Sequence, residues 1–132
     1  MRAIDLRVRE YRVSFRIKRI YEEPAAKDGI RVLVDRLWPR GISKEAAKLD
    51  YWMKDVAPSA PLRRWFDHLP ERFPEFKRRY RKEMKDNLSL PGLQELGNRK
   101  VVTLLYGARS PEVNHAIVLQ EALKVRLSRK GA

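Results

Sequence analysis

The sequence predicts an α/β fold: a single small domain with a largely parallel or mixed central sheet that is flanked by helices. Two apolar runs, residues 30–35 (IRVLVD) and 100–106 (KVVTLLY), are typical of strands buried on both faces, because their apolar residues do not alternate strictly with polar ones. The chain between them carries helix signals and is long enough for a crossover connection, so we expect the two strands to run parallel. A third run, residues 13–21, alternates well and indicates a half-buried strand.

Length and composition limit the remaining possibilities. The 132 residues suit one domain, in which we expect residues 1–12 to be a basic N-terminal extension or an edge strand, residues 13–127 to be the α/β domain and residues 128–132 to be a frayed basic tail. The chain has no cysteine, which excludes disulfides and a cysteine nucleophile. Because it also lacks an apolar signal-peptide core and any run near the ~20 residues of a membrane helix, we predict a cytoplasmic protein without membrane contact.

Charge is the most unusual property of the composition. Thirty Lys and Arg residues against seventeen Asp and Glu residues leave a formal net charge of +13. Such a surface attracts anions and can bind nucleic acid through its phosphates. The alternative is the ion-pair-rich surface typical of thermophilic proteins, which needs no ligand.

Local signals place the shorter elements in order along the chain. Ser43 is an N-cap for a short helix at residues 44–48. The aromatic residues 51–53 predict a short strand or a packed crossing. Ser59 together with Pro61 predicts the start of the next helix.

The two longest helices follow from periodicity and from caps. Residues 70–86 form the clearest helix, with apolar residues at spacings of three and four: Phe73, Phe76, Tyr80 and Met84. Residues 89–98 predict a short helix or turn. In the last helix, Ser110 is the predicted N-cap and Pro111 the first helical residue, and the helix is expected to continue to about Leu127.

Polar and aromatic residues follow both buried strands at the points where these strands end. The carboxyl ends of parallel strands meet at one edge of a sheet, and α/β proteins place their ligands there. We therefore predict a pocket at this edge. Its expected residues lie on two facing walls: Asp35, Arg36, Trp38 and Arg40 on one, and Tyr106, Arg109, Asn114 and His115 on the other.

The first wall allows a binding role and a structural role for each residue. Arg36 and Arg40 suit a phosphate or carboxylate, because a guanidinium makes paired hydrogen bonds to such anions. Salt bridges to Asp35 or Asp50 are the structural alternative. Trp38 is placed either to stack on a ring or to pack in the core.

Asp35 and His68 are the candidates for acid–base catalysis. Asp35 suits a general base or a metal ligand, and its alternatives are a loop cap or an arginine partner. His68 suits a general acid or base because histidine is the side chain best matched to proton transfer at physiological pH, and its alternative is a capping or surface residue. His115 lies in the first turns of the last helix, whose dipole disfavours protonation of the ring and so suits a neutral hydrogen-bond donor. The alternative is that His115 packs against the sheet. Arg109 and the amides of residues 110–113 form a possible anion cradle, although most helix N-termini bind only water or their own cap.

The motifs of several common classes of enzyme and nucleotide-binding protein are absent from the sequence. The sequence contains no Walker A loop, dinucleotide-binding glycine motif, nucleophile elbow or HExxH pair. Two widely separated histidines and the absence of cysteine argue against a transition-metal site. We therefore predict neither a metal nor a cofactor.

Several sequence motifs occur together in one order: VLVDRLWPRG, YWMKDVAPS, LRRWFDH, FKRRY, and VTLLYGA with Asn114 downstream. In this the chain resembles the YeaO-like family, uncharacterised prokaryotic proteins within domain of unknown function 488, from about Phe15 to Leu123. The resemblance implies a small cytoplasmic α/β domain and no established activity. The family's motif residues that this chain carries are Asp35, Arg36, Trp38, Pro39, Arg40, Gly41, Trp52, Lys54, Ser59, Trp65, Phe66, His68, Tyr80, Tyr106 and Asn114. More distant relatives carry cysteines near the last strand and helix. This chain has Tyr106 and Asn114 in that region, so their thiol chemistry is not transferred.

Two functional hypotheses follow. In the first, the predicted pocket binds a small anionic molecule, such as a nucleotide or another phosphorylated metabolite, with turnover left open. Its arginines hold the anion while Trp38 or Tyr106 stacks. In the second, the protein is a nucleic-acid-associated binding module whose basic helix from Arg72 to Lys85 contacts phosphates. The sequence does not specify whether the protein is an enzyme, nor its oligomeric state.

Overall fold

The computed structural model describes residues 15–131, with side chains described for residues 15–124. Within this part of the chain, four strands form one sheet: β1 (Phe15–Arg19), β2 (Ile30–Leu33), β3 (Tyr51–Trp52) and β4 (Val102–Tyr106). They lie in the order β1-β4-β2-β3, and each neighbouring pair is parallel. The predicted α/β class and the parallel pairing of the two buried strands are confirmed.

Five helices complete the described part of the chain: α1 (Lys44–Ala47), α2 (Ala60–Phe66), α3 (Phe73–Lys85), α4 (Leu90–Arg99) and α5 (His115–Gly131). The two serine caps predicted from sequence are confirmed. Ser43 Oγ accepts the amide of Ala46 at 3.0 Å, and Ser59 Oγ accepts the amide of Leu62 at 3.3 Å. None of the helices in the described region is long and apolar enough to cross a membrane.

The predicted start of the last helix is wrong. Ser110 Oγ accepts the amides of Glu112 and Val113, so this serine closes a turn that precedes the helix. Helix α5 begins four residues later, where Asn114 Oδ1 accepts the amide of Ile117 at 3.0 Å. The Asn114 side chain also donates to the Ser110 carbonyl at 2.9 Å. Both residues have cap chemistry, and only Asn114 is the helix N-cap.

The predicted chain termini remain expectations. The N-terminal extension, residues 1–12, lies outside the described residues. The backbone of α5 includes residues 128–131, and the frayed tail that we expect there stays a prediction.

The two faces of the sheet are covered unequally. On one face, alternate strand residues such as Phe15, Val32 and Leu104 join a large core cluster with residues of the four longer helices, among them Phe76 and Leu119. On the other face a smaller cluster forms around Ile20, Leu33, Ala47 and Leu105, with Trp38 and Trp52 packed against it. The large cluster therefore contains most of the apolar area that folding removes from water.

A buried ion-pair network lies on the less covered face. Asp28 is 3% exposed and accepts Arg31 Nη1 at 2.6 Å and Lys18 Nζ at 3.1 Å. Its carboxylate also accepts the amide of Ala25, and its carbonyl accepts the hydroxyl of Thr103. Burial by itself raises the pKa of Asp28, but the hydrogen bonds that Ala25, Lys18 and Arg31 donate to the carboxylate, with the charge of Lys18, outweigh it and lower the pKa below its ordinary value.

Loss of the Asn114 cap has a measurable cost. We expect Asn114→Ala to lower the free energy of unfolding by about 1–2 kcal/mol, because the amide of Ile117 loses its acceptor. Asn114→Ser is the control, since a serine at an N-cap still accepts that amide and should restore most of the loss. Urea unfolding of the three proteins measures both differences. Equal losses in the two variants would show that Asn114 stabilises the fold by some other contact.

Candidate functional site

A cavity of about 300 Å³ opens at the carboxyl edge of the sheet, where the sequence predicts a pocket. Seven of the residues proposed from sequence line it: Asp35, Arg36, Trp38, Arg40, His68, Asn114 and His115. All but His68, which follows α2, come together because β2 and β4 are parallel neighbours, so the loop after β2 faces the turn that leads into α5.

Two residues predicted for the second wall lie elsewhere. Tyr106 is 3% exposed and belongs to the large core cluster, because it shares a strand face with Val102 and Leu104. Burial raises the pKa of the Tyr106 hydroxyl. Arg109 is exposed and is not part of the cavity lining.

Several lining residues were not proposed as binding residues. Arg63 and Phe66 come from α2, Phe76 comes from α3, and Gly107 follows β4. The spacing of Arg63 and Phe66 within the motif LRRWFDH was the available signal, since residues three apart share a helix face. Phe66 belongs both to the large core cluster and to the cavity lining.

Among the described residues that line the cavity, Asp35 is the only one with a carboxylate, and its neighbours hold this side chain in place. Asp35 Oδ2 accepts the amide of Gly107 at 2.9 Å, and its carbonyl accepts Trp52 Nε1 at 2.8 Å. His115 Nε2 lies 2.9 Å from the Val34 carbonyl and 3.2 Å from Asp35 Oδ1. Because a carbonyl only accepts, Nε2 carries the proton. Asp35 Oδ1 accepts no hydrogen bond from the described residues, and its contact with His115 is therefore ionic when the ring is charged.

Arg36 connects two loops of the pocket. Its Nε donates to the Pro58 carbonyl at 3.1 Å and its Nη2 to the Ala57 carbonyl at 3.3 Å. Within the described region, neither Arg36 nor Arg40 forms the predicted salt bridge with Asp35 or Asp50. The salt-bridge alternative is therefore wrong for both arginines, and their positive charge is not neutralised by either carboxylate.

Trp38 combines the two roles that the sequence left open. The indole lines the cavity and also packs against the smaller core cluster. Its ring meets Trp52 edge-on with centroids 5.3 Å apart, and its Nε1 donates to the Ile42 carbonyl at 2.7 Å. With the polar atom already paired, Trp38 presents apolar surface to the cavity.

The mouth of the cavity carries exposed cations. Arg40 and Arg63 are exposed, and their side chains make no hydrogen bond or ion pair with the described residues. His68 follows Asp67, and both have left-handed backbones with φ of 57° and 49°. This reversal after α2 places His68 at the mouth, and such local strain is often found at functional sites.

The predicted anion cradle before the last helix is not open. Ser110 Oγ already accepts the amides of Glu112 and Val113, at 3.2 and 2.9 Å. Arg109 therefore stands beside a turn whose amides are largely paired. No cluster of three metal-ligating side chains is found among the described residues, and the absence of a metal or cofactor stays an expectation.

The basic helix of the second hypothesis is partly neutralised by its own ion pairs. Glu75 accepts hydrogen bonds from Arg78 at 2.7 Å and from Arg79 at 2.8 Å. These two guanidinium groups lower the pKa of Glu75 to about 2. Arg81 pairs with Glu121 on α5 at 3.1 Å. Three of the basic residues of α3 thus already have a carboxylate partner.

Fold and site together define a small parallel α/β domain with a cationic, aromatic-lined pocket at the carboxyl edge of its sheet. The family model described as "Inactive DUF488-N3 subclade" matches residues 14–132. The chain therefore belongs to the DUF488 family, of the YeaO-like type, as the sequence motifs had indicated.

Bacterial relatives match over nearly their whole length. An uncharacterised protein of Mycobacterium tuberculosis is 48% identical over 119 residues, which are 90% of this chain and 99% of the relative, and one of Mycobacterium bovis matches equally. The uncharacterised protein YeaO of Escherichia coli K12 is 36% identical over 113 residues, 85% of this chain and 98% of YeaO. No solved structure matches the chain.

Proposed function

We propose that this protein binds a small anionic or phosphorylated molecule, such as a nucleotide, in the pocket at the carboxyl edge of its sheet. One observation carries the proposal: Arg36, Arg40 and Arg63 all line one cavity, and none has a carboxylate partner among the described residues. Guanidinium groups that have no carboxylate partner and surround a concave surface attract oxyanions and bind them with directed hydrogen bonds.

Binding without turnover is the form of this proposal that fits the site. Asp35, one of the two acid–base candidates, is held between the amide of Gly107 and the ring of His115. The name of the matching family, which calls this subclade inactive, agrees with this view. The cytoplasmic location belongs to the same proposal, and the absence of cysteine fits it.

A thermal-shift screen tests the proposal. Inorganic phosphate, phosphorylated metabolites and nucleotides are compared at one ionic strength, so that general screening of the +13 chain stays constant. A ligand present at about 100 times its Kd should add about 2.7 kcal/mol to the free energy of unfolding and raise Tm. A screen in which no compound shifts Tm would contradict the proposal.

Two arginine variants locate the binding site. We expect Arg40→Gln and Arg63→Gln each to weaken binding by about tenfold or more, because each removes a charged hydrogen-bond donor. Arg64→Gln is the matched control, since Arg64 is exposed on the same helix as Arg63 but does not line the cavity. Isothermal titration calorimetry measures the three Kd values. Equal losses in all three variants would indicate a diffuse charge effect.

The nucleic-acid hypothesis has less support because Arg78, Arg79 and Arg81 already form ion pairs. It predicts a steep loss of DNA or RNA affinity with added salt, and loss of binding when these arginines and Lys82 are neutralised. Binding that survives those changes would exclude the helix as the contact surface.

A further inference from the structure

The buried and the exposed residues of the cavity lining differ in chemistry. The inner wall consists largely of buried apolar side chains: Pro39, Ala57, Pro58, Phe66 and Phe76. The rim consists of exposed residues, most of them polar or charged: Tyr21, Leu37, Arg40, Arg63 and His68. The cavity is therefore apolar inside and cationic at its mouth.

The polar groups of the inner part are mostly occupied by the protein itself. Asn114 donates to the Ser110 carbonyl and accepts the amide of Ile117. Asp35 Oδ2 accepts the amide of Gly107. Asp35 Oδ1 accepts no hydrogen bond from the described residues, and as a carboxylate oxygen it repels an oxyanion. Except for a donor aimed at this oxygen, a polar ligand group placed against the wall would leave water without gaining an equivalent partner, which costs free energy.

Resting on the proposed function, we propose that the ligand is an amphipathic anion: an oxyanion joined to a planar apolar or aromatic ring. The ring lies inside against Phe66, Phe76 and Trp38. Leu37 covers the outer edge of the ring, and the oxyanion lies at the rim between Arg40 and Arg63. The cavity volume of about 300 Å³ is at the lower end of the range for small-molecule sites, which favours a compact ligand.

Three phosphate compounds distinguish the ring from the anion. Inorganic phosphate carries no organic group, ribose 5-phosphate carries a polar sugar and phenyl phosphate carries an aromatic ring. By calorimetry at one ionic strength, we expect phenyl phosphate to bind at least about tenfold more tightly than the other two. Only its ring gains binding free energy when it is buried against the apolar inner wall.

A surface leucine tests the ring contact without disturbing the core. Leu37 lines the cavity and is 59% exposed, so Leu37→Ser should fold normally. We expect it to weaken phenyl phosphate binding by about three- to tenfold and to leave inorganic phosphate unaffected, since it removes apolar contact only. Leu88→Ser is the control, because Leu88 is 95% exposed and does not line the cavity.

The outcomes separate this inference from the function on which it rests. Equal affinity for the three compounds, or tightest binding of ribose 5-phosphate, would overturn the aromatic ligand and leave anion binding intact. The same loss in Leu37→Ser and Leu88→Ser would also overturn it. If none of the three compounds binds, anion binding in this pocket is overturned as well.

Discussion

Replacing Asp28 by asparagine is expected to lower the free energy of unfolding by about 3–5 kcal/mol. The carboxylate is the shared partner of Arg31, which is 5% exposed, and of Lys18. Asparagine has nearly the same shape but no charge, so the variant leaves a buried guanidinium without its counter-ion. The cost of such a change comes from the charge that remains and exceeds the net value of the intact pair.

The remaining contacts of Arg31 do not compensate for the lost charge. Its Nε and Nη2 donate to the carbonyls of Ala47 and Lys48, at distances between 2.7 and 3.2 Å. These carbonyls accept hydrogen bonds but supply no full negative charge. Because Arg31 thereby links β2 to the end of α1, we expect the loss to appear as global destabilisation.

Glu75→Gln is the matched control for the Asp28 variant. Glu75 also pairs with two cations, Arg78 and Arg79, but on an exposed helix surface. Water and salt screen such pairs, so this variant should leave the free energy of unfolding nearly unchanged. Urea unfolding at pH 7 measures both variants. A small loss for Asp28→Asn, similar to that of the control, would contradict the role given to the buried network.

The same carboxylate predicts a pH dependence. The pKa of Asp28 is lower in the folded protein than its ordinary value of 3.8, so the folded state binds fewer protons than the unfolded state. The stabilisation is complete above pH 3.8 and is lost as the pH falls through the folded-state pKa. The difference in stability between wild type and Asp28→Asn should therefore shrink as the pH falls below 3.8.

The second large effect is expected for Gly29→Ala, which should lower the free energy of unfolding by about 3–5 kcal/mol. Gly29 has φ of 66° and ψ of −132°, a conformation open essentially only to glycine. A Cβ at this position would lie 2.3 Å from the Val101 carbonyl oxygen. That oxygen accepts the amide of Ile30 at 2.9 Å, so the backbone cannot move away without disturbing the start of the β2–β4 pairing.

Gly92→Ala provides the contrast for the same chemical change. Gly92 lies in α4, and an added Cβ meets no atom within 4 Å. Alanine favours a helix over glycine by up to about 1 kcal/mol, so this variant should be neutral or more stable. Denaturant unfolding of both variants measures the difference. If Gly29→Ala is tolerated as well as Gly92→Ala, the turn before β2 relaxes freely and the predicted clash does not destabilise the fold.

Local patterns in the sequence predicted most elements because those elements are stabilised by near neighbours. The serine caps at Ser43 and Ser59 depend on amides three residues away, and the apolar spacing of α3 places Phe76 and Tyr80 on one buried face. The same local argument failed at Ser110, where two cap residues compete. Asn114 is the N-cap because its amide also binds the Ser110 carbonyl and holds the preceding turn.

The sequence by itself determined the fold class, the family and the edge of the sheet at which the pocket lies. Two buried-strand patterns joined by a chain long enough for a crossover already favour parallel strands, and the ordered motifs indicate the family. Only the tertiary structure decided the content of that pocket. It brought Arg63 and Phe76 from two helices into the lining and turned Tyr106 into the core. The physical reason is that such positions depend on packing between segments far apart in the chain, which no local pattern encodes.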